Sequence, residues 1–393
     1  MTRIAHDVHS GADTIIILKN PLAGSKVWKD LDADDHVEKP VLESDSNTDQ
    51  PSIAEPSSEE VVPEASEETV DQQPVAEESS EEEEGEEQEV HYHVSSILLK
   101  TASPKFASML SGEIWKEGIR NEEDGCYYIL VEKWDAEAFL ILLNVLHLRN
   151  RQVPRSVSLS MLTKIAVLAD YFTCTEAIEL STEIWVKDLK DTTPIPSNYC
   201  QNLILWMCIT WVLRLPQEFT QATGIAIRQR TLAGLPTLDL PIIGFVDKLA
   251  TARVQAIDAI ISQLHDLLDK YSDANYSCSC DFYSFECSSI LYGALTKGMN
   301  QLGLLLPYPV APFSGTSYQD LHERPFKIKS PNLSHPSKEK YKAPHFCSLK
   351  VQVRGVINRV RRSVNGLDLE DFGRTLSADV SITNEKVSAR ASI

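Results

Sequence analysis

The stretch VHYHVSSILLKTASPKFASML, Val90 to Leu110, decides the reading of this chain. Val90, Tyr92 and Val94 alternate with His91 and His93, which predicts a half-buried strand with the apolar three on one face and the histidines on its solvent face. A helical pattern follows through Ile97, Leu98 and Leu99. Ser103 then stands directly before Pro104, which suits an N-cap followed by proline at the first helical position, and Phe106, Met109 and Leu110 supply that helix with an apolar face.

Working outward, Asp13 to Leu18 (DTIIIL) is a β-branched run ending at Asn20 and Pro21, and Cys126 to Val131 (CYYILV) is a further strand. Asp135 suits the N-cap of a helix in which Phe139, Leu142, Leu143 and Leu146 form the stripe, with Ile141 and Val145 adding apolar residues off it, so that helix should be buried on most sides. Helices are expected from about Ser158 to Phe172 and from about Thr175 to Leu189, and Pro194 with Pro196 marks a boundary. Residues 198–306 read as all-helical. In the long helix from about Val246 to Lys270, Val246, Ala250, Ile257, Ile260, Leu264 and Leu267 keep a seven-residue spacing that Arg253 interrupts, as either a core helix or a coiled-coil seam. From 307 to 344 the chain is rich in Pro, Ser and Lys and is expected to loop over the surface. An amphipathic helix from Leu349 to Val364 should follow within the tail, which reaches 393.

Charge is distributed unevenly. The 393 residues carry 57 acidic and 37 basic side chains, a net charge of −20, but Glu43 to Glu89 holds 19 acids and no Lys, Arg or His. That leaves 38 acids against 37 bases elsewhere, so the acidity belongs to a single segment. Residues 29–88, rich in Glu, Ser, Pro and Gln, have too little apolar surface to offset the entropy of ordering and are expected to form a disordered insertion. A nucleic-acid partner is disfavoured, since such affinity rests on clustered Lys and Arg. The amino terminus, MTRIAHDVHSG, lacks the apolar run of a secretory signal, and the best apolar stretch, Leu203 to Leu215, is interrupted by Thr210 and Arg214. A soluble, intracellular protein is expected, cytoplasmic or nuclear, with its eight cysteines mostly thiols.

The order strand, strand, two short helices, strand and three helices, with the Ser103-Pro104-x-Phe106 step, resembles a BTB/POZ domain. Asp13 and its strand, Tyr92, Leu98 and Leu99, Met109 with Leu110, Glu117, and Trp134 to Leu146 match further steps of that family. The stretches FLILLNVLHLRNRQVP, KIAVLADYF, NLILWMCITWVLRLP and FECSSILYGALTKGM are also similar to filamentous-fungal BTB-domain proteins of unassigned biochemistry. The resemblance implies an α/β (α+β) BTB/POZ-like domain split over 11–20 and 89–190, followed by a mostly α-helical C-terminal domain at 191–306. It departs where many members carry a histidine and a base after the second strand: here stand Ser95 and Ser96, leaving Asp13 without a neighbouring base. As a class, such domains dimerise or bind partners such as cullin scaffolds and co-repressors. The resemblance therefore implies a non-enzymatic interaction module, as a homodimer or a substrate adaptor for a cullin-type ubiquitin ligase, with Met109, Trp115 and Glu117 as the partner-contacting residues. The alternatives are a transcription or chromatin regulator that uses the acidic segment, and a structural scaffold.

No phosphate-binding G-x-x-x-x-G-K-[ST] loop, G-x-S-x-G elbow or H-E-x-x-H pair occurs. His91 and His93 share a strand face and could reach one metal, but the solvated face of a half-buried strand is the favoured reading. Cys280, Cys287, His345 and Cys347, with Cys278 nearby, form the best metal candidate, a structural zinc, against the alternative of buried thiols. Lys350, Arg354, Arg359, Arg361 and Arg362 should lie outside the last helix, as a solvated face or as a dock for phosphate, a membrane surface or the chain's own acidic segment.

Overall fold

A computed structural model describes residues 2–21, 88–112, 115–231, 235–278, 284–332 and 347–373. The predicted disordered insertion lies outside these residues up to its last position, Gln88, where a strand begins. Four strands, β1 (Thr2–Asp7), β2 (Thr14–Lys19), β3 (Gln88–Val94) and β4 (Tyr127–Glu132), form one mixed sheet in the order β1-β3-β2-β4. The central pair is antiparallel, and each outer strand runs parallel to its neighbour. Ile16, Leu18, Val90, Tyr92, Val94, Ile129 and Val131 are buried on the inner face, as strict alternation demands. β1 was not foreseen. Its only large apolar residue, Ile4, is exposed, so no buried face marks it. The strand is held by its ladder to β3 and by the amides of Val8 and His9, which both donate to the His93 carbonyl at 3.0 Å.

The interior position of β3 also corrects the solvent face expected for the histidines. His91 is buried with its ring 3.2 Å from Glu89 Oε2, and His93 is half-buried with its ring 2.8 Å from Asp7 Oδ1. Each ring meets a different carboxylate, and the two do not converge on one point.

The short helices α1 (Ser96–Ala102) and α2 (Pro104–Met109) follow β3, and the capping forms as read: Ser103 Oγ accepts the Phe106 amide at 3.0 Å, with Pro104 at the first helical position. α3 (Ala136–Leu146), α4 (Leu159–Tyr171) and α5 (Glu179–Thr192) follow β4. Asp135 and Ser158 cap the first two of these through the amides of Ala138 and Met161.

The second half is mostly helical: α6 (Gln201–Val212), α7 (Pro216–Gln229), α8 (Ile243–Ser272), α9 (Ser284–Gln301), α10 (Tyr318–Glu323) and α11 (Leu349–Ser363). α6 is apolar on every side and packs between α4 and α7, so the core runs without interruption from the sheet into the helices. α8 is a core helix, since α7, α9 and α11 pack on it and cover Ile257, Ile260, Leu264 and Leu267; the coiled-coil alternative falls away.

Arg253 belongs to this buried stripe. Its guanidinium nitrogens lie 2.6–3.1 Å from the carbonyl oxygens of Arg230, Thr231, Pro312, Phe313 and Thr316. The Pro-rich stretch therefore does not simply loop over the surface. Through residue 332 it includes α10 and a 3-10 turn at Arg324–Lys327, buries Tyr318 and Leu321, and sets Ile328 against Gly298, where a Cβ would meet the isoleucine at 2.6 Å. On α11, Lys350, Arg354, Arg359, Arg361 and Arg362 are exposed, as amphipathicity required.

Candidate functional site

The residues singled out for partner contact fall on α2 and on the segment leading to β4. Met109 is half-buried and packs against the core, Trp115 is 39% exposed, and Glu117 is half-buried in a 3-10 turn at Lys116–Gly118. The segment folds back on itself, because a Cβ at Gly118 would stand 2.1 Å from the Gly112 amide nitrogen. On the same segment Ile119 is 67% exposed, and on α1 Ile97 is 71% exposed. Of the three residues, Trp115 is the one that offers a large apolar surface to a partner.

Asp13 sits nearby and has a base after all. Its carboxylate accepts the Ser96 amide at 2.7 Å and the Ser96 hydroxyl at 2.6 Å, while Arg120 Nη2 stands 3.2 Å away. Burial works against the charge, but the two Ser96 donors and Arg120 outweigh it and hold the carboxyl below its usual range. The base comes from the α2–β4 segment, 107 positions along the chain, where adjacency in sequence could not reveal it.

Ser95, the other unusual position, is held by His147. The Ser95 amide donates to His147 Nε2 at 3.0 Å, and Nδ1 lies 2.8 Å from the Leu143 carbonyl, so the neutral ring with its proton on Nδ1 satisfies both contacts. Burial, with smaller contributions from His9 and Arg149, lowers its pKa below 6.5 against the opposing hydrogen bonds. The unfolded chain therefore takes up this proton first. The stabilisation is complete above about pH 6.5 and is lost as the pH falls from there through the folded-state pKa, by at most about 1.4 kcal/mol per pH unit. Urea titrations at several pH values should show that part of the acid loss disappear in His147→Gln. An unchanged slope would mean that the ring is not the titrating group.

A second cluster lies in the helical half. Cys278 follows α8, Cys287 sits in the first turns of α9, and Cys347 precedes α11; their sulfurs all lie within 4.8 Å of one another, with Cys278 and Cys347 3.5 Å apart. Cys278 and Cys287 are buried and Cys347 is half-buried. Burial pushes the Cys287 thiol well above its ordinary pKa, with hydrogen bonding to Cys278 and the charge of Cys347 adding to the rise. The Tyr276 hydroxyl donates to Cys347 Sγ at 3.9 Å. Of the sequence-derived set, the structure brings Cys287 and Cys347 together and adds Cys278, which the sequence marked only as a neighbour; Cys280 and His345 lie outside the described residues. Among the described residues, no other group of three or more Cys, His, Asp or Glu side chains is placed to share a metal.

No described helix is long and apolar enough to cross a membrane. No protein-family model, curated protein or solved structure matches the chain.

Proposed function

We propose that this chain is a non-enzymatic protein–protein interaction module of the BTB/POZ type, pairing through the outer surface of its sheet-bearing half, with a second copy of itself as the first partner. The observation that carries the reading is the set of large apolar side chains left in solvent on α1 and the α2–β4 segment: Ile97, Trp115 and Ile119. Fully burying one such side chain contributes about 1.5–3 kcal/mol, so burying these three against a partner would contribute enough to drive association. The element order supports the reading as well: after β1 come two strands, two short helices, a strand and three helices, the order the resemblance implies.

Light scattering after size exclusion, on the full chain over a concentration series, tests this. The expected result is a concentration-dependent dimer that Ile97→Asp with Ile119→Asp shifts to monomer. A chain that stays monomeric up to about 100 µM, a range that would detect even weak pairing, removes the self-pairing form. Binding to a purified cullin amino-terminal domain then decides whether an adaptor role remains, and failure of both ends the interaction reading.

A further inference from the structure

We propose that Cys278, Cys287 and Cys347 bind one zinc ion as thiolates, forming a clasp that fastens the start of α11 to the end of α8 and the first turns of α9. This inference stands apart from the function proposed above, because it concerns the opposite half of the chain and needs no partner.

Three observations carry it. The first is distance. In a tetrahedral site with Zn–S bonds of about 2.3 Å, the sulfurs stand about 3.8 Å apart. The cluster has one pair at 3.5 Å and all three sulfurs within 4.8 Å. The second is provenance. The cysteines come from three separate segments, yet their side chains converge at one point under the helix ends, and a disulfide between Cys278 and Cys347 would leave Cys287 outside it. The third is the surrounding shell. Tyr276 directs its hydroxyl at Cys347 Sγ, and its ring meets Tyr271 edge-on at 5.6 Å. The Tyr271 hydroxyl is buried with no hydrogen-bond partner among the described residues. A hydroxyl donor directed at a sulfur, as Tyr276 directs its own, suits a metal-bound thiolate.

The chemistry balances simply. Each S–H bond breaks, its proton passes to water, and the sulfur lone pair forms the bond to Zn²⁺, so occupancy by three thiolates releases three protons. On each sulfur the dication takes the place of the proton. A fourth donor, from water or another side chain, completes the tetrahedron. Zinc is favoured over harder cations because the ligands are soft sulfur.

The test uses the full chain, purified under reducing conditions without chelator. Elemental analysis should find about one zinc per chain, falling at least about tenfold in Cys278→Ser, Cys287→Ser and Cys347→Ser. Because a serine variant could fail to fold, the wild-type protein is also exchanged with Co²⁺. Tetrahedral d–d bands and sulfur-to-cobalt charge-transfer absorption are expected, and their loss on adding zinc supports a shared site. Limited proteolysis should attack α11 faster once the metal is stripped. Absence of both zinc and the cobalt bands overturns the proposal, as does a Cys278–Cys347 disulfide found by mass spectrometry in the protein as purified.

Discussion

Replacing Arg253 with methionine is expected to lower the unfolding free energy by about 3–5 kcal/mol, because the loss leaves buried carbonyl groups without donors. Arg253 is 1% exposed and has no carboxylate partner among the described residues; its charge is balanced by five backbone dipoles from two stretches, Arg230–Thr231 and 312–316. Methionine fills similar volume but donates nothing. Lysine should rescue little, since a compact ammonium cannot present a planar fork to both stretches at once. Denaturant titration measures the effect, and a loss below about 1 kcal/mol, the net worth of a single ordinary hydrogen bond, would show that the carbonyls find other donors.

The other large effect belongs to Phe172, where truncation to alanine should cost about 3–5 kcal/mol. Its fully buried ring stacks on Phe106 at 4.5 Å and meets Phe139 at 5.7 Å, while its carbonyl accepts the Ser103 hydroxyl. One residue thus joins the end of α4 to the start of α2 by both packing and a hydrogen bond. Phe172→Leu, which keeps most of the volume, should cost under about 1.5 kcal/mol. Equal losses for the two substitutions would mean that packing is not what Phe172 contributes. Thermal unfolding of both variants provides the comparison.

The reading from sequence succeeded where the cause is local. Ser103-Pro104 and Asp135 begin helices because a short polar side chain reaches an amide within the same turn, and three residues are enough to see it. The alternation of Val90, Tyr92 and Val94 placed the inner face for the same reason. What failed was set by partners distant in the chain. His91 seemed solvated because nothing in its neighbourhood announces β1, and Arg253 seemed to interrupt a stripe because its acceptors lie up to 63 positions away. The base beside Asp13 was hidden likewise. The thiol cluster was half legible: Cys287 and Cys347 were marked by type, but only the meeting of α8, α9 and α11 selects Cys278 to join them.

The continuous core changes how this chain can be divided for experiments. α6 carries Leu203, Ile204, Leu205, Trp206, Met207, Cys208 and Ile209, all buried, and lies against one side of α4. A fragment ending near residue 190 would leave that side of α4 bare, and such a fragment would capture unrelated apolar surfaces as readily as a true partner. Binding assays on the isolated sheet-bearing half would then report the cut surface, while the intact chain keeps that face sealed and leaves only its native exterior to be recognised.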